Sequence, residues 1–285
     1  MRRLLFLEVS VFSILLMAVL SSGSKADERP LRVISIDGSI TEIIYALDMA
    51  GHLVGVDTTS RYPADARELP KVGYMRQLSA EGILSLNPSL IIATAEAGPP
   101  EVLQQLQHAG LAVHVIDNAS SINGVFDKIR AVAKILNVQV RGETLVTKLK
   151  VNTDRIASNL LEKTWPEPPK VMFLLAAGNH GVMLAGKNTQ ADAMITLMGG
   201  TNVVTQFKSY KPLTPEGALQ TLPDVIIIAD TQGNTSVLES FELLKHTPAA
   251  KNNRIVKADS MLLLSFGPRI DKAMSTMAPA FYVSR

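Results

Sequence analysis

Apolar runs alternate along this chain with stretches whose apolar positions recur every three or four residues. The runs "RVISI" (32–36), "LVGVD" (53–57), "SLIIA" (89–93) and "AVHVID" (112–117) read as strands. Between the first two, "SITEIIYALDMAG" (39–51) has helical spacing and a stop at Gly51, with Ser39 and Glu42 spaced as a capping box. A second series follows the "PEPP" break: "KVMFLLA" (170–176), "DVIIIA" (224–229) and "RIVKAD" (254–259). The final "PRIDKAMSTMAPAFYV" has a helical pattern at least as far as Pro279. Strand and helix alternating in this way predict an α/β protein with mostly parallel sheets.

Between the two series the pattern changes. From Ser121 to Thr164 there is no Pro and there are only two Gly, and apolar residues keep helical spacing throughout. That reads as one long helix or two stacked pieces, too long for an ordinary crossover and too poor in Gly and Ser for a flexible linker. The expected organisation is a leader over 1–26, an N-terminal α/β lobe over 27–120, a linking helix over 121–165 and a C-terminal α/β lobe over 166–285. Two lobes on a stiff strut leave a cleft between them, and such clefts are where ligands bind.

The two series share an internal repeat. At an offset of 135 residues, Leu78, Glu81, Gly82, Leu84, Pro88, Ile91 and Ile92 align with Leu213, Glu216, Gly217, Leu219, Pro223, Ile226 and Ile227. Ser79 and Thr214 are N-cap residue types, and each Glu falls in the first turn, where the helix dipole favours an acid. Each Glu then either stabilises a helix start or forms one of two equivalent acidic knobs. Ahead of the first copy only, "GYMR" puts Tyr74 two residues before Arg76.

Composition narrows the setting. Arg2 and Arg3 precede an apolar stretch, "VFSILLMAVL" (11–20), too short to span a bilayer, and "SKA" (24–26) offers small residues for cleavage. A cleaved Sec-type signal peptide is expected, and with no Cys in the chain neither disulfides nor a lipid-bearing Cys are available. The leader carries three of the 28 Lys and Arg and one of the 26 Asp and Glu, so the remainder is close to neutral. No dense basic stripe remains for nucleic acid.

Enzyme signatures are missing: there is no G-x-S-x-G, no Walker A loop, no G-x-G-x-x-G after the first strand and no H-E-x-x-H. The five His are scattered, without i,i+4 pairing. Tyr74 is the chemically suggestive side chain, since tyrosinate is a hard donor to ferric iron and a known axial ligand of haem. A phenol titrates near 10, so ligation needs the metal and a neighbouring cation to favour the anion. Arg76 is placed either to be that cation or to hold a ligand carboxylate. The plain alternative is a loop Tyr packed on its lobe with Arg76 in solvent. His180, in the Gly-punctuated "AAGNHGVMLAGKNT", is either solvated or faces the cleft, and Met75 and Met183 are either core filler or soft wall contacts for a large aromatic ligand.

The segments "LPKVGYMRQLSAEGILSLNPSLIIA", "LAGKNTQADAMITLMGG", "KPLTPEGALQTLPDVIII" and "LLLSFGPR" resemble the periplasmic haemin-binding proteins of Gram-negative ABC haem importers. Those belong to the wider group in which one long helix joins the lobes and which carries siderophores, cobalamin and haem. The resemblance covers essentially the whole chain after the leader. It implies a periplasmic carrier without catalytic activity that binds haem b (iron protoporphyrin IX) as its transported ligand. It further implies Tyr74 as the axial ligand, with Arg76 beside the phenolate or a propionate. Glu81 and Glu216 would dock on Arg residues of an inner-membrane ABC permease dimer with its ATPase. His180 would be the second-lobe ligand that some relatives use for a second haem. A monomer is expected, and a ferric siderophore or cobalamin is the alternative cargo.

Overall fold

The computed structural model describes residues 30–162, 165–176, 181–214, 221–231, 237 and 241–282. His180 and Glu216 lie outside the described residues. In the first lobe the order is β1 (Val33–Ile36), α1 (Gly38–Ala46), β2 (Leu53–Val56), β3 (Gly73–Tyr74), β4 (Gln77–Leu78), α2 (Ala80–Leu84), β5 (Leu90–Thr94), α3 (Pro100–His108) and β6 (Ala112–Ile116). The strands of its main sheet run β2-β1-β5-β6, all parallel, while β3 and β4 form a separate antiparallel hairpin. Every residue of β1 and β5 is buried, as expected of parallel strands covered on both faces. Ile34, Ile36, Ile83, Ile91 and Leu106 belong to one core cluster with the hairpin residues Met75 and Leu78.

The linking segment is two helices, α4 (Ile122–Ile135) and α5 (Gln139–Glu162), packed on one another. The break falls at Asn137, whose positive φ of 56° ends the first helix. Only α5, 24 residues long, is the long connecting element, and α4 packs on α1 of the first lobe. The uninterrupted helical spacing across 121–165 conceals this turn, because apolar residues on both helices face the same seam.

The second lobe contains β7 (Lys170–Ala176), β8 (Val182–Ala185), α6 (Gln190–Leu197), β9 (Thr201–Asn202), β10 (Tyr210–Pro212), β11 (Val225–Asp230), α7 (Pro248–Lys251), β12 (Ile255–Asp259), α8 (Ser260–Leu264) and α9 (Ile270–Phe281). Its sheet runs β10-β8-β7-β11-β12, with β9 also on β7. The pairs of β7 with β11, β11 with β12 and β7 with β9 are parallel, whereas β8 and β10 extend one side in antiparallel fashion. Met172, Leu174, Ile226 and Ile228 centre its core. The last helix continues past Pro279 to Phe281.

Polar ties cross between the lobes at their base. Arg269, just before α9, grips Glu42 of α1 through two nitrogens, one pair at 2.7 Å, and its guanidinium stacks 3.8 Å from the Tyr62 ring centroid. Arg61 donates to the Thr231 carbonyl and reaches Ser260 Oγ at 3.3 Å and Asp259 at 3.4 Å. Lys128, fully buried on α4, donates to Ser39 Oγ (3.0 Å), to Asn118 Oδ1 and across to the Phe266 carbonyl (3.2 Å). With α5 also packed on α9, these contacts oppose hinge motion between the lobes.

The capping box expected of Ser39 and Glu42 does not form. The N-cap is Asp37, whose carboxylate accepts from Ser39 N at 2.7 Å. Glu42 instead points into the lobe junction to meet Arg269, where a buried charge needs a partner, and the buried helix start is already capped by Asp37.

Candidate functional site

Tyr74 and Arg76 stand on the two-residue turn side of the β3–β4 hairpin, in which Tyr74 pairs with Gln77 and Gly73 with Leu78. The hairpin is clamped on both edges: Thr58 N donates to the Gly73 carbonyl (2.9 Å), Gly98 N to the Met75 carbonyl (2.9 Å) and Leu78 N to the Gly98 carbonyl (3.0 Å). Met75 and Leu78 anchor it in the core. Gly73 has φ +102°, a conformation open to glycine, and a Cβ there would sit 3.3 Å from the Gln77 carbonyl oxygen. Gly73→Ala is therefore expected to lower stability by about 1–2 kcal/mol, read as an earlier midpoint in urea unfolding.

The hairpin presents Tyr74 to a cleft of about 280 Å³ whose walls come from both lobes. From the first lobe come Asp37, Thr59, Tyr74, Met75, Arg76, Glu96 and Asn118; from the second come Leu175, Gln190, Thr231, Met261 and Leu264 among others. Asp37, Thr59, Glu96 and Asn118 follow β1, β2, β5 and β6, and Leu175 and Thr231 close β7 and β11. The cleft thus lies beyond the carboxyl ends of the parallel strands, where open α/β sheets place ligands.

Tyr74 is 41 % exposed, and neither its phenol nor the Arg76 guanidinium makes a hydrogen bond or ion pair with another described residue. Both polar heads are available to something that enters the cleft. Arg76 also acts electrostatically across the cleft: burial pushes the Tyr210 phenol up, while hydrogen bonds with Thr189 and the Ala191 backbone, then the Arg76 charge, pull it back.

The floor is polar and held stiffly. Asp37 takes φ +100°, and its carboxylate is fixed by Ser39 N and by Thr94 Oγ1 at 3.0 Å. Such a backbone persists only where its surroundings dictate it. Beneath it Asp57 accepts from Asp37 N (3.0 Å), Thr59 N (2.8 Å), Thr59 Oγ1 (2.6 Å) and Ser60 Oγ (2.7 Å). Burial pushes the Asp57 carboxyl up, and those hydrogen bonds work against it. Asn118, pinned by Lys128, donates to Glu96 Oε2 at 3.1 Å.

Of the site residues expected from the sequence, Tyr74, Met75 and Arg76 line this cleft. Met183 does not line it: it lies on β8 opposite Leu175, half-buried in the sheet. Glu81 lies in the first turn of α2, exposed, behind the N-cap Ser79, which accepts from Gly82 N. Sequence reasoning missed Glu96, Asn118 and Met261. The first two carried a usable signal, since each follows an apolar strand on the side where Tyr74 also stands. Among the described residues no group of three His, Asp or Glu side chains is arranged to hold a bare metal ion.

A clamped pair of α/β lobes with a ligand cleft at the strand ends defines a substrate-binding protein. Residues 33–262 match the periplasmic binding protein family, and the chain belongs to that family. Among solved structures it is similar to the periplasmic haem-binding protein RhuT from Roseiflexus sp. RS-1 in apo form. The TM-score is 0.81 and the identity 38 %, over 89 % of this chain and 98 % of that one. It is also similar to the periplasmic haem-binding protein BhuT in complex with two haems, at TM-score 0.78 and 37 % identity, covering 88 % and 98 %. Among curated relatives, a vitamin B12-binding protein of Photorhabdus laumondii is 27 % identical over 74 % of this chain and 75 % of its own length.

Proposed function

We propose that the chain carries haem through the periplasm, after loss of the leader 1–26, and delivers it to an inner-membrane ABC importer. The observation that carries this reading is the Tyr74 phenol, without a hydrogen-bond partner among the described residues and lining the cleft from a hairpin that three backbone hydrogen bonds hold in place. An oxygen ligand on a rigid element needs little reorganisation when ferric iron arrives. Tyr74 is the axial ligand in this reading. Arg76 stabilises the phenolate or receives a propionate, Met75 packs on the porphyrin, and Met183 lies at the margin of its wall. His180 is a candidate for the second-lobe ligand. Glu81 and Glu216 are the acidic contacts to the permease. The likeness to haem-binding structures at 37–38 % identity supports the cargo.

The vitamin B12-binding relatives favour cobalamin as the second reading. Titrating the purified mature protein with haemin and, separately, with cyanocobalamin, followed by absorbance, separates the two. Saturable haemin binding with a ferric tyrosinate-type spectrum, and none for cobalamin, is the expected result. Saturation by cobalamin with haemin ignored would sink the haem assignment and leave the family intact.

A further inference from the structure

Lys128 of α4 is 1 % exposed, and the haem reading gives it no task. Among the described residues its ammonium donates to neutral oxygens alone: Ser39 Oγ, Asn118 Oδ1 and the Phe266 carbonyl. Burial draws its pKa below the ordinary value, and Asp37, Glu96, Glu42 and Asp117, acting from farther away, oppose that. An ammonium buried without an ion pair costs more than an apolar side chain filling the same space, so stability alone does not account for it.

All three partners lead to the cleft. Ser39 donates its N–H to the Asp37 carboxylate at 2.7 Å. Asn118 lines the cleft, and because its Oδ1 takes the Lys128 proton, its amide nitrogen is turned to Glu96, donating to Oε2 at 3.1 Å. Phe266 follows Leu264 and Ser265, which line the cleft from the second lobe. Asp37 and Glu96 are themselves cleft residues, so the ammonium stands one residue behind each of two floor carboxylates. The start of α1 meets the same floor but offers an anion no free N–H there. Gly38 N is taken by Thr59 Oγ1 (3.1 Å), Ser39 N by the Asp37 carboxylate and Ile40 N by the Asp37 carbonyl (3.1 Å).

Resting on the haem reading, we propose that Lys128 is a positioning residue for the cargo. Through Asn118 and Ser39 it orients the two floor carboxylates, and its charge offsets theirs so that the cleft accepts a porphyrin carrying propionates. A floor of two acids with no cation behind it would repel such a cargo, and charges this deep are little screened by solvent.

The test titrates haemin and haemin dimethyl ester, whose propionates are neutral, into the mature protein at neutral pH. The ratio of the two affinities is the readout. Lys128→Gln keeps a donor and removes the charge; it is expected to lower haemin affinity about tenfold and ester affinity by less than about twofold. Glu96→Gln, at a half-buried position, is expected to raise haemin affinity about threefold and leave that for the ester unchanged. The double variant should return the ratio to within about threefold of wild type. Because Glu96→Gln leaves Lys128 and its packing in place, it decides the matter even where Lys128→Gln fails to fold. Losses common to both ligands report packing and overturn the proposal, as does an unchanged ratio in the Glu96→Gln protein; the haem reading survives either result. A wild type that binds neither porphyrin overturns the haem reading and this proposal with it.

Discussion

Replacing Tyr74 with phenylalanine is expected to reduce haemin affinity by at least about 100-fold, more than loss of an outer-shell contact at a metal site costs. It should also abolish the charge-transfer features of a ferric tyrosinate in the absorbance spectrum. Phenylalanine keeps the ring and removes one oxygen, so the loss reports ligation rather than packing. Stability should hold to within about 0.5 kcal/mol, because the ring is half in solvent and the phenol has no partner among the described residues. Tyr74→Ala is expected to lose the same spectrum and, in addition, some wall contact. A Tyr74→Phe protein with unchanged spectrum and affinity would place the iron ligand elsewhere and remove the basis of the haem reading.

The second large effect concerns the base of the cleft. Arg269→Met is expected to destabilise the protein by about 3–5 kcal/mol at neutral pH, the usual consequence of stranding one member of a buried ion pair. Glu42 is 2 % exposed, and among the described residues Arg269 is the one cation within ion-pair distance of it, with the buried Lys128 acting on it from farther away. The pH dependence follows from the sign of the shift. Burial raises the Glu42 carboxyl above its ordinary value of 4.5, and the Arg269 hydrogen bond and charge pull it back down. Removing Arg269 removes that counterweight, so the folded-state value rises further. A raised carboxyl favours the folded protein while it is protonated and loses that contribution as pH climbs from the unfolded value through the folded one. The deficit of Arg269→Met should therefore shrink between pH 7 and about pH 5. Thermal or urea unfolding of both proteins across that range measures it. A deficit that does not change with pH would mean that Glu42 is neutral in the folded wild type or stays solvated in the variant.

If the pair also holds the lobes in register, haemin affinity of Arg269→Met should fall even at temperatures where the variant is fully folded. The cleft draws its walls from both lobes, and Glu42 and Arg269 are 227 residues apart in the chain.

Strand positions were legible because a parallel strand covered on both faces must be apolar at nearly every residue. "KVMFLLA" is β7 to the residue, and the five residues of β5 are displaced by one from "SLIIA". The hairpin carrying Tyr74 read as a loop because strands of two residues have no periodicity to detect. The antiparallel pair β8 and β10 was hidden for a similar reason: β8 is four residues long and β10 three, with Pro212 in the latter. At Ser39 and Glu42 a local rule pointed to a cap and a distant arginine overrode it.

From the sequence alone came the two α/β lobes, the helical link, the repeated Glu-containing turn and the single Tyr-x-Arg, because burial pattern and turn chemistry are written within a few residues of one another. Tertiary structure alone decided that Tyr74 lines the cleft with no hydrogen-bond partner among the described residues, that Glu96 and Asn118 share the polar floor, and that Glu42 and Lys128 are buried against groups 138 to 227 residues away. The physical reason is that desolvation and pairing depend on what surrounds a side chain in space, and periodicity along the chain carries no record of it.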